Sequence, residues 1–168
     1  MANTYTLINS NTVGSGGVAS VTFSSIPGTY TDLLIKYSSR NTAAAIQNMA
    51  ITLNGSTANF TYKSLYGGGS VSPGSGSGST NLVGIAEANN YTANTFDNGE
   101  IYIPNYAGSN YKSISADSVS ETNATEAYAE LFATLWSNTA AITSIGLAST
   151  SGNFSQYSSF YLYGIKNS

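Results

Sequence analysis

The sequence predicts an all-β chain folded as an antiparallel β-sandwich, and three observations carry that prediction. Ser, Thr, Asn and Gly fill nearly half of the 168 positions; these residues are disfavoured in helix interiors and common in turns and on exposed strand faces. Short segments rich in Val, Ile, Tyr, Phe and Thr recur at regular intervals between polar turns, the spacing of a sandwich or barrel. Charged residues make up only 8% of the chain, against about 25% in ordinary domains, so solubility rests on neutral polar groups.

The expected strands run in order through TYTLI (4–8), VASVTF (18–23), YTDLLIKYSS (30–39), MAITLNG (49–55), FTYKSLY (60–66), LVGIA (82–86), GEIYIPN (99–105), YKSISADSV (111–119), ITSIGLA (142–148) and SFYLYGI (159–165). In the last of these Phe160, Leu162 and Gly164 share one face and Tyr161, Tyr163 and Ile165 the other, so both faces are apolar and the strand is expected inside a sheet. Segment 124–136, ATEAYAELFATLW, fits two periods. Its apolar residues recur at helical spacing, with Asn123 and Glu126 resembling a capping box, but period two also works, with Tyr128, Phe132 and Trp136 opposite Ala129, Leu131 and Ala133. The strand reading is preferred and the helix stays open.

One glycine- and serine-rich stretch, GGGSVSPGSGSGST (67–80), is read as a long flexible loop inside a single domain spanning 1–168. As a linker it would leave residues 1–66 to bury a core alone, and domains so small bury only about 60% of their unfolded surface. Read as a loop, it can be shortened by eight residues at a closure cost below about 1 kcal/mol.

The composition narrows function by exclusion. Net charge is −3 and the five cations, Lys36, Arg40, Lys63, Lys112 and Lys166, are scattered singly, which gives no basic patch for nucleic acid. MANTYTLINSN has neither the charged nor the apolar region of a targeting signal, and no stretch approaches the roughly 18 apolar residues of a membrane span. With no His and no Cys, the usual general base, thiol nucleophile and zinc ligands are missing. Glu126 and Glu130 lie too far apart along one strand for a glycosidase pair, about 13 Å. The Gly-rich stretch lacks the closing Lys of a phosphate loop. Asp97-Asn-Gly-Glu100 lacks the alternating acids of a calcium loop and reads as a turn. The chain is therefore expected to hold no catalytic site, cofactor or metal. Of the aromatics, Tyr161, Tyr163 and Trp136 are assigned to core or subunit contact, while Tyr62, Tyr66, Tyr91 and Tyr106 lie nearest loops and form the candidate recognition surface.

The phrases MANTYTLINSNTV, FSSIPGTYTDLLIKYSSR (23–40), IYIPNYAGS (101–109), SADSVSETNATEAY (115–128), LWSNTAAITSIGL (135–147) and SGNFSQYSSFYLYGIKNS together resemble a group of small tailed-bacteriophage virion structural proteins. The resemblance spans nearly the whole chain. It implies a jelly-roll-like sandwich on the virion, assembled in the host cytoplasm, either as a non-enzymatic capsid decoration protein or as a tail or fibre component. The implied partners are the major capsid protein or other virion proteins and further copies of the chain, with a trimer favoured on capsid symmetry axes. The alternative is a tail or fibre module binding host-surface glycans through loop aromatics. With so few charges, docking is expected to be apolar and weakly salt-dependent; an electrostatic interface would draw on Lys36, Arg40 and Lys112.

Overall fold

The alternating segments pair into two antiparallel sheets that pack face to face. The computed structural model describes residues 4–68, 70–78, 81–123 and 127–166. Among them run β1 (Tyr5–Thr12), β2 (Ser20–Phe23), β3 (Asp32–Ser39), β4 (Gln47–Leu53), β5 (Phe60–Gly67), β6 (Val71–Gly78), β7 (Leu82–Ala86), β8 (Asp97–Ile103), β9 (Lys112–Glu121), β10 (Ala127–Trp136), β11 (Ile145–Ser149) and β12 (Ser159–Ile165). The larger sheet has the order β1-β12-β3-β8-β9-β10-β5-β6 and the smaller β2-β11-β4-β7.

Period-two alternation builds the core. Leu33, Ile35 and Tyr37 of β3, Ile101 and Ile103 of β8 and Phe160 and Leu162 of β12 supply the larger sheet's inner face. Val21, Phe23, Met49, Ile51, Leu53, Ile145 and Leu147 supply the smaller sheet's inner face, and all are buried in one cluster. Each such side chain contributes about 1.5–3 kcal/mol by leaving water, which replaces any need for disulfides. Sharp reversals use residues that tolerate positive φ: Asn54 (φ 53°) and Gly55 (φ 74°) close the turn after β4, the Asn-Gly signature of a tight hairpin. β12 lies between β1 and β3 as expected. Its Gly164 has Tyr30 laid directly over it, so a side chain there would fall inside the ring.

Segment 127–136 is a strand, and residues 124–126, with Glu126, lie outside the described residues. Phe132, Thr134 and Trp136 point inward while Ala129, Leu131 and Ala133 face out. Trp136 stacks on Phe60 across the β10–β5 pair, ring centroids 6.1 Å apart. Burial of that row selects period two over the helix.

Two expectations are corrected. Within the stretch 67–80, Val71–Gly78 is a strand where a flexible loop is expected, pairing along the whole of β5, from Phe60↔Gly78 to Gly67↔Val71; residues 69, 79 and 80 lie outside the described residues. The open edge of β5 supplies backbone partners, and Gly and Ser side chains are small enough to lie flat beside it. An eight-residue shortening there would therefore remove a strand rather than slack. Likewise Asp97-Asn-Gly-Glu100 is no turn but the start of β8, paired to β3 and β9, held by buried Asp97, whose Oδ1 accepts from Ser39 N and Oγ at 2.7 and 2.8 Å.

The two sheets are unequal, and this positions the site. β7, an edge of the smaller sheet, packs on β8, β9 and β10. The β5–β6 hairpin lies beyond β10 at the margin of the larger sheet; Phe60 at its base is buried in the core, and further along among the described residues no strand of the smaller sheet packs closely on its inner face.

Candidate functional site

Where the larger sheet extends past β7, its inner-facing side chains open into a cleft of about 280 Å3. Alternation from the buried Phe60 carries Tyr62, Ser64 and Tyr66 of β5 onto this face, and β10 adds Tyr128 and Glu130. Ile46, Gln47 and Asn48 at the start of β4, with Leu82 and Ile85 of β7, form the opposite wall. Three tyrosines thus share the cleft with two amides and one carboxylate.

The aromatic walls are held in place. Tyr62 leans on Phe132, ring centroids 6.2 Å apart, and Gly68 lies so close to Tyr128 that a Cβ there would be 2.8 Å from its ring. Gly74 of β6 stands opposite Ser64, and a Cβ on it would come within 2.6 Å of the Ser64 hydroxyl; its bareness keeps the floor open. Partial burial raises the Glu130 carboxyl above its ordinary pKa, offset in part by a hydrogen bond from Ser64.

The opposite face of the same strands is apolar and exposed. Leu65 pairs with Leu131, and Val119 pairs with Ala129 next to it; the three large side chains are 53%, 60% and 42% exposed. Shallow depressions of about 530 and 380 Å3 flank Leu131, lined by Ala129, Ala133 and Pro73 among others.

Most of the cations are already engaged. The Arg40 guanidinium, buried, donates to the carbonyls of Asn89, Tyr91, Thr92 and Thr95 at 2.7–3.0 Å. Buried Lys112 donates to Gly108 and Asn110 carbonyls, and burial lowers its pKa. Lys36 pairs with Glu100 at 2.9 Å. Among the described residues no three His, Cys, Asp or Glu side chains cluster closely enough to share a metal ion.

The expected recognition surface divides. Tyr62 and Tyr66 come together in the cleft. Tyr91 stands apart on the segment that Arg40 ties down, and Tyr106 is corrected: it is fully buried, with its hydroxyl donating to the Pro27 carbonyl, because the chain after β8 folds back over the core. Trp136 is core as assigned, whereas Tyr161 is 37% exposed on the outer face. Glu130, Tyr128, Gln47 and Asn48 were missed as a set, since two separate strands, β10 and β4, supply them. No family model, curated protein or solved structure matches the chain.

Proposed function

We propose that the protein is a non-enzymatic structural component of a tailed-bacteriophage virion, a capsid decoration protein docked on the particle exterior as a homo-oligomer, with three copies around a symmetry axis. The observation that carries this reading is the exposed Leu65–Leu131–Val119 row, an apolar sheet face of the kind that marks interaction surfaces. Strand order supports it. With β5–β6 and β9–β10 set aside, the remaining strands run β1-β12-β3-β8 and β2-β11-β4-β7, first beside last in each row, an arrangement in keeping with a jelly roll, a fold used by viral capsid domains. Sequence phrases resembling phage virion proteins support it as well.

The docked interface is apolar, because Arg40, Lys112 and Lys36 are spent on internal partners. Particles stripped of the protein test this: purified protein is added back and occupancy measured from low salt to about 1 M, where the Debye length is about 3 Å. Wild-type occupancy stays within a few-fold over that range, and Leu65→Ser with Leu131→Ser abolishes it while the fold is retained by circular dichroism. Collapse at high salt, or unchanged occupancy in the double variant, rejects docking through this face.

A further inference from the structure

The cleft beside β7 has a composition that a docking surface does not need. Its tyrosines present ring faces with polar tips, suited to sugar rings that are apolar on one face and hydroxylated at the rim. Gln47 and Asn48 each offer an amide donor and acceptor, and Glu130 offers two acceptor oxygens to adjacent hydroxyls. The volume, about 280 Å3, lies just below the range of about 300–1,000 Å3 that holds drug-sized ligands, as suits a single sugar ring with its substituents. Glu130 adds a negative charge, which opposes sialic and uronic acids.

From these residues we infer that the cleft is a binding site for a neutral pyranose carrying adjacent hydroxyls, stacked on Tyr66 and Tyr62 and held at its rim by Glu130, Gln47 and Asn48. The walls are set before binding, since Phe132 buttresses Tyr62 and Gly68 abuts Tyr128, so little ordering is required. The site does not depend on the docking surface for its chemistry, but the geometry links the two. Residues i and i+1 of a strand face opposite sides: Leu65 and Leu131 face out where Tyr66 and Glu130 face in. A copy docked through the leucine face would therefore turn its cleft away from the particle, toward surrounding glycans.

The test uses the full chain and defined probes: methyl pyranosides of glucose, galactose and mannose by saturation-transfer NMR, and an array of neutral and acidic glycans. At least one neutral sugar binds, and Tyr66→Ala and Glu130→Gln each weaken it tenfold or more. Gly74→Val, which fills the floor while the Ser64 hydroxyl can turn aside, abolishes it without loss of the folded spectrum. Leu131→Ser leaves sugar binding unchanged, which separates this site from the docking face. Absence of binding to every neutral probe at millimolar concentration, selective binding of acidic glycans, or full affinity in Tyr66→Ala and Gly74→Val overturns the inference.

Discussion

Replacing Arg40 with Met keeps an apolar stem of similar length and removes one guanidinium. That group makes five hydrogen bonds to the segment between β7 and β8, four of them to backbone carbonyls. A hydrogen bond to a charged group is worth about 1.5–3 kcal/mol net, so independent loss of the four carbonyl bonds would cost at least about 6 kcal/mol. The segment is largely exposed from Asn89 to Asn94, and released carbonyls there recover water, which reduces the loss to roughly half, about 3 kcal/mol. For a chain of this size each kcal/mol moves the melting temperature by about 2–4 °C, giving a fall of about 6–12 °C. Thermal unfolding followed by circular dichroism reads the fall. Hydrogen exchange reads its locality: the amides of Tyr91 and Thr95, bonded within the segment to Ala88 and Thr92 carbonyls, exchange faster while β3 is unaffected. Arg40→Lys, with one donor centre for four acceptors, falls between. A melting temperature within about 2 °C of wild type with unchanged exchange would show that the segment holds itself and that Arg40 is free for other work.

Three further perturbations follow from the packing. Asp97 is fully buried, and burial, with the Glu87 carboxylate nearby, raises its pKa well above the ordinary value against the opposing hydrogen bonds from Ser39; the native state thus keeps a proton that the unfolded chain releases near pH 4, and stability falls as pH rises above 4. Asp97→Asn keeps the Oδ1 acceptor for Ser39 and flattens that slope, read by urea unfolding from pH 4 to 8; an unchanged slope assigns it elsewhere. Gly164→Ala drives a methyl into the Tyr30 ring and destabilises by about 1–3 kcal/mol, recovered in part by Tyr30→Ala in a double-mutant cycle; an additive double variant contradicts the contact. Deleting Val71–Gly78 exposes the β5 edge and produces concentration-dependent association, measured by light scattering; a monomer with wild-type stability would show that β6 is dispensable.

Every strand except β6 was placed from the chain, β10 with a helix left open beside it, because each carries apolar, β-branched or aromatic residues, most of them at period two. β6 carries none of that signal: VSPGSGSG has no apolar alternation, and its extended form is imposed by the neighbouring edge. Asp97-Asn-Gly-Glu100 misled for the converse reason, a local turn signature overridden when burial of Asp97 against Ser39 drew the segment into β8. In the cleft, Tyr62 and Tyr66 were legible as aromatics near a loop, but Tyr128, Glu130, Gln47 and Asn48 reach it only through the β10–β5 register and the overhang beyond β7, which are tertiary facts. Tyr106 shows the limit of proximity to a loop as a guide, since that loop folds back over the core.

The proposed role on the virion is tested most directly by locating the protein on intact particles of the tailed phage that the proposal takes to carry its gene. Gold-labelled antibody raised against the purified chain, viewed by electron microscopy, should label the outside of the capsid at many regularly spaced positions and leave stripped particles bare. Label confined to the tail would replace decoration with a tail or fibre role, and particles free of label beside protein that remains soluble in the lysate would contradict a virion component altogether.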